Sequence, residues 1–146
     1  MIWTALQHAG WVSTLATHRW IYGLVSVIHH SAVLLSIGTI VLLDLRILGV
    51  ANQNLAVSAC ARQLRPWAWI GFASAVISGF LLFAGQASLY VAATPFLVKM
   101  FIIVLAVMAA LAAEWSNTKL LALISIVLWL GALLAAVEIS ELTGLG

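Results

Sequence analysis

Apolar residues fall in four long blocks along this chain, and the polar ones gather between them. From Trp20 to Leu43 the sequence runs without Asp, Glu, Lys or Arg. At about 1.5 Å per residue, such a helix is long enough to cross a hydrocarbon core of roughly 30 Å. The run stops at Asp44-Leu45-Arg46, charges that suit a headgroup region. A second block, 66–86, opens with Pro66, which fits the first turn of a helix, where no backbone N–H is needed. Trp67 and Trp69 mark its interface. Within it Gly71, Ala75, Ser78 and Gly79 place small residues at three- and four-residue steps, a spacing that permits close helix approach in lipid. Pro95 opens a third block, 95–113, which ends at Glu114-Trp115. Asn117-Thr118-Lys119 turns into a fourth, 120–139, uninterrupted until Glu138.

Residues 1–19 behave differently. Ile2, Leu6, Ala9 and Val12 recur at helical spacing among polar partners, and Trp3, Trp11 and Trp20 suit a membrane–water boundary. The pattern predicts a short amphipathic helix lying on the membrane, with His8 and His18 in solvent or headgroups. The segment lacks a basic n-region and precedes the long apolar run, so it is not read as a cleavable signal peptide. The expected fold is all-α: an integral membrane four-helix bundle over 20–146 behind a short N-terminal interfacial helix at 1–19.

Composition fixes the solvent. Of 146 residues, 65% are hydrophobic and 7% charged, so lipid surrounds most of the chain and no sizeable soluble domain is left. The net charge of +2 rests on six scattered Lys and Arg residues, which do not make a nucleic-acid surface. The single cysteine, Cys60, excludes an intramolecular disulfide. Arg46, Arg62, Arg65 and Lys119 share one side, against Arg19 and Lys99 on the other. The basic side is cytoplasmic, which predicts a multi-pass protein of the bacterial inner membrane with both termini outside.

Against that background the intramembrane polar residues are the candidates for chemistry. His29 and His30 lie near the middle of the first span. His29 shares its helical face with Tyr22, Ser26, Ala32, Val33 and Ser36, a stripe of hydroxyls and small side chains. His30 shares its face with Gly23, Val27, Leu34, Ile37 and Val41, a lipid-facing composition. His29 therefore points into the bundle. It is read either as a neutral imidazole donating to a Ser or a carbonyl of another helix, or as a ligand to haem iron, or as a quinone donor. His30 is the lesser metal candidate.

Lys99 lies about one turn into the third span, within snorkelling reach of the outer interface. Glu138 lies at the corresponding depth of the antiparallel fourth span, so a Lys99–Glu138 ion pair would satisfy both charges. If Lys99 turns inward it would hold a haem propionate or the sixth iron position. Asp44, Arg46, Arg62 and Arg65 gather at the inner loop, as topology anchors or as a docking surface. No nucleophile–base pair, phosphate-cradling glycine loop, CxxC or HExxH is present.

The motifs WIYGLVSVIH, LLDLRILG, RQLRPWAWIGF, SGFLLFA and TPFLVK, taken in order, resemble an uncharacterised family of small bacterial four-span integral membrane proteins, a domain of unknown function. More distantly, a first-span His and a later P-x-x-x-K are similar to haem-binding membrane protoporphyrinogen oxidases and to copper-resistance D-type membrane domains. By position, His29 matches the first-span histidine of that resemblance and Lys99 the later lysine. The chain departs from the pattern at Gly23, where the family has Pro, and at Ser26, where it has an acidic residue. It also has Ala112-Ala113-Glu114 where a further His is expected. Protoporphyrinogen oxidation is therefore not carried over, and haem binding is.

The leading expectation is a redox or electron-transfer protein binding haem b or quinone through His29. Lys99 would serve as the second contact, with Tyr22, Ser26 and Ser36 supporting the imidazole. One alternative is a non-catalytic accessory subunit that packs with other membrane subunits or with copies of itself. A second is copper or small-solute transport.

Overall fold

The structure, a computed structural model, describes residues 2–143, apart from the side chains of residues 13, 15–17 and 137–143. Among the described residues it is all-α, with no strand. The helices are α1 (Ile2–Gln7), α2 (Gly10–Thr17), α3 (Arg19–Leu48), α4 (Val57–Gly85), α5 (Ala87–Ala92), α6 (Thr94–Ser116) and α7 (Lys119–Thr143). Four of them, α3, α4, α6 and α7, are long and apolar enough to cross a membrane. The chain is a multi-pass membrane protein built as a bundle of these four.

The bundle is two hairpins docked through one helix. α3 packs along α4 and α6 packs along α7, while α3 also touches α7 and, more lightly, α6. α4 scarcely meets α6 or α7. The α3–α4 seam is close because its side chains are small. A Cβ added at Gly71 would lie 2.7 Å from the Ser36 backbone N and 2.9 Å from the Ala32 carbonyl. Ser36 uses that proximity to donate to the Ala68 carbonyl at 3.2 Å. Close van der Waals approach and interhelical hydrogen bonds are what hold helices together in lipid, where burial of apolar surface adds little.

At the end of the bundle where α3 gives way to α4 and α6 to α7, the buried core is Leu43, Ile47, Cys60, Ala61, Ala113 and Ala122. α3 ends there on Gly49, whose φ of 82° closes the C-terminus. Arg46 ties the following loop back by donating to the Leu55 carbonyl at 2.6 Å. Asn117, with φ of 51°, ends α6 before the turn into α7. At the opposite end Phe83 and Phe96 stack at 5.5 Å, Tyr90 joins them, and Trp3 meets Phe83 edge-on. Ser88 of α5 donates to Gln7 of α1 at 2.6 Å.

Several boundaries differ from the expectation. The second spanning helix begins at Val57, so Pro66 lies inside it rather than in its first turn. Val57, Cys60, Ala61 and Leu64 form a helical stripe on that buried core, and the packing extends the helix upstream of the proline. The first span continues to Leu48, past Asp44-Leu45-Arg46. The single expected N-terminal helix is two, α1 and α2, and the connection between the second and third spans contains α5.

Candidate functional site

His29 sits on α3 against the small-residue stretch of α4. Its Nδ1–H donates to the Ala75 carbonyl at 3.0 Å and lies 3.2 Å from Ser78 Oγ. The Ser78 hydroxyl hydrogen goes to the Ser74 carbonyl at 2.6 Å, so its oxygen is free to accept. A carbonyl only accepts, so Nδ1 carries the proton, and in the neutral ring Nε2 then holds the lone pair. Gly79 makes room for the ring, since a Cβ there would lie 2.9 Å from His29 Cε1. Nε2 has no hydrogen-bond partner among the described residues and is not sealed from the surface.

His30 faces outward. Its Nδ1–H donates back along α3 to the Ser26 carbonyl at 2.7 Å, and its ring meets that of His29 edge-on at 5.7 Å. His30 is exposed and lies at mid-span. Lys99 is half-buried on α6. The Glu138 side chain lies outside the described residues, and so does its expected pairing with Lys99.

The residues expected to support His29 go elsewhere. Ser26 Oγ lies 3.5 Å from His30 Nδ1. Ser36 is buried and bonds to Ala68. Tyr22 lies near Tyr90, a phenol that burial and Tyr22 hold above its ordinary pKa. The actual partners, Ala75 and Ser78, come from α4. In sequence the repeat Gly71-Ala75-Ser78-Gly79 reads as a packing face alone, and it is the register of α3 against α4 that brings Ala75 and Ser78 to His29.

The charged residues expected to cluster after the first span take separate roles. Asp44 is 1% exposed, deep in the bundle, because α3 runs on past it and α7 covers it. Arg46 serves the loop. Arg62 is exposed. Arg65 pairs with Glu114 of α6. Among the described residues no group of three or more His, Cys, Asp or Glu is placed to hold a metal ion. No family model, no curated protein and no solved structure matches the chain.

Proposed function

We propose that this protein is a small redox-type protein of the bacterial inner membrane that binds haem b through His29, with both termini outside. The direction of the imidazole carries this reading. A histidine that ligates metal gives its other ring N–H to a carbonyl or carboxylate, which fixes the ring and raises its basicity. His29 does this with Ala75, leaving Nε2 as an open lone pair. The same proton assignment separates ligand classes. Nε2 can take a metal ion or the hydroxyl of a quinol, but it has no proton to give a quinone carbonyl. Lys99, on α6, is the lysine that would take the propionate role. Bound haem would supply one-electron chemistry. The chain's own residues would hold and orient it through His29, Ala75 and Ser78, and keep water away with the surrounding apolar helices.

The orientation rests on the basic residues. Arg46, Arg62, Arg65 and Lys119 lie at the end where α3 ends, α4 begins and α6 turns into α7. That end is then cytoplasmic.

A second reading is favoured by His30. An imidazole facing outward at mid-span leaves a polar nitrogen toward hydrocarbon, which is costly unless another chain covers it. An accessory subunit, or a homo-oligomer joined along that face of α3, would do so.

The test is a reduced-minus-oxidised visible spectrum of protein expressed with haem supplied and purified in mild detergent. The haem reading predicts a b-type spectrum that is lost in His29→Ala while helicity by circular dichroism is kept. A colourless wild type would overturn it. Lys99→Met then separates an iron ligand, which changes the spectrum, from a propionate contact, which lowers haem retention alone.

A further inference from the structure

A second polar site lies at the inner end, away from His29. Because α4 and α6 scarcely touch, a cleft of about 60 Å³ opens between them with α3 as its floor. Thr39, Asp44, Arg65 and Glu114 are its polar lining, and Phe72 and Val107 are among its apolar walls. Asp44 is 1% exposed, and its Oδ2 has no hydrogen-bond partner among the described residues. Ser125 of α7 faces the carboxyl without reaching hydrogen-bond geometry, and its Oγ is also buried without a partner. Trp129 Nε1, one turn along the same face of α7, is buried in the same condition. Buried polar atoms almost always have partners, and a buried charge is paired, neutralised or bound to a cation.

The neighbouring charges do not supply that partner. Arg65 is turned to Glu114, so Asp44, Arg65 and Glu114 together sum to one negative charge. The Thr39 hydroxyl hydrogen is already given to the Leu35 and Ser36 carbonyls, both at 2.8 Å, and its oxygen keeps a lone pair. The cleft has room for about two waters. One uncompensated carboxylate and neutral oxygens around so small a space suit a hard cation of single charge. A divalent ion asks for more carboxylates or a full shell of water.

We propose that this cleft binds a small monovalent alkali cation, Na⁺ being the probe, through the Asp44 carboxylate and the Thr39 hydroxyl. A ligand that binds only the folded state raises its stability with saturation. The experiment is thermal unfolding in detergent, followed by tryptophan fluorescence, in NaCl, KCl, LiCl or choline chloride at equal ionic strength. Choline is too large for the cleft. The site predicts a saturable rise of roughly 3 °C or more with at least one alkali ion over choline. It also predicts the same rise in Lys119→Ala and none in Asp44→Asn. Should Asp44→Asn fail to fold, Thr39→Val must move the midpoint of the cation titration at least threefold higher. Equal unfolding temperatures for the wild type in all four salts would overturn the proposal. So would a cation-dependent rise that survives in Asp44→Asn, or an unmoved midpoint in Thr39→Val.

Discussion

Replacing Gly71 with alanine tests the α3–α4 seam at its tightest point. In an exposed helix Gly→Ala stabilises by about 1 kcal/mol, because alanine loses less backbone entropy. At Gly71 the new Cβ would lie 2.7 Å from Ser36 N and 3.0 Å from Ser36 Cα, both backbone atoms that no side-chain rotation can move. Ordinary contact begins at 3.4 Å, so the helices must separate by about 0.7 Å or tilt. Overpacking of this kind costs about 1–3 kcal/mol. The separation also stretches the Ser36–Ala68 and His29–Ala75 bonds, each worth about 0.6 kcal/mol in a membrane protein. The expected net effect is a destabilisation of about 1–3 kcal/mol, after the propensity gain is subtracted. Gly38 is the control, since nothing lies within 4 Å of a Cβ there, and Gly38→Ala should be neutral or stabilising by up to about 1 kcal/mol. Unfolding from bicelles by SDS titration, read by far-ultraviolet circular dichroism, compares the pair. If Gly71→Ala proves as stable as Gly38→Ala, the close approach is wrong.

Other consequences are smaller. Ser36→Ala removes one interhelical hydrogen bond and should cost about 0.6 to 1.7 kcal/mol in the same titration, with no change in helicity. A double-mutant cycle on Arg65 and Glu114 should give a coupling below about 1 kcal/mol, because the Arg65 side chain is 53% exposed and solvent screens the pair. For topology, a single cysteine placed at Asn52 should react with an impermeant thiol reagent only in inside-out vesicles. One placed at Ser88 should react only in right-side-out spheroplasts. Both sites are exposed, and Cys60 is buried.

The four spans were legible because lipid imposes one requirement on every residue, and the apolar blocks answer it directly. Helix ends were less so. Pro66 is a strong local signal for a first turn, yet tertiary packing of Val57, Cys60, Ala61 and Leu64 overrides it. The inward face of His29 was readable from helical periodicity, but its partners on α4 depend on the register between two helices, which no local pattern contains. Ser26 illustrates the same limit: it shares a face with His29 on a helical wheel, yet its hydroxyl turns to His30, one turn away. Asp44 was misplaced for a different reason. A charge at the edge of an apolar run normally marks the headgroups, but Ala32, Ser36, Leu43, Asp44 and Ile47 are one buried stripe of α3. The four-residue spacing Ser36, Ile40, Asp44 places the carboxylate on that stripe.

The central claim is that His29 holds its proton on Nδ1 and offers Nε2 as an acceptor. Nitrogen NMR of protein labelled with ¹⁵N-histidine, with His29 assigned by comparison with His29→Gln, reads this directly. The account predicts a neutral His29 ring protonated at Nδ1 in haem-free protein, and an Nε2 resonance that shifts or broadens when haem is added. A ring protonated at Nε2, or an Nε2 signal indifferent to haem, would contradict it.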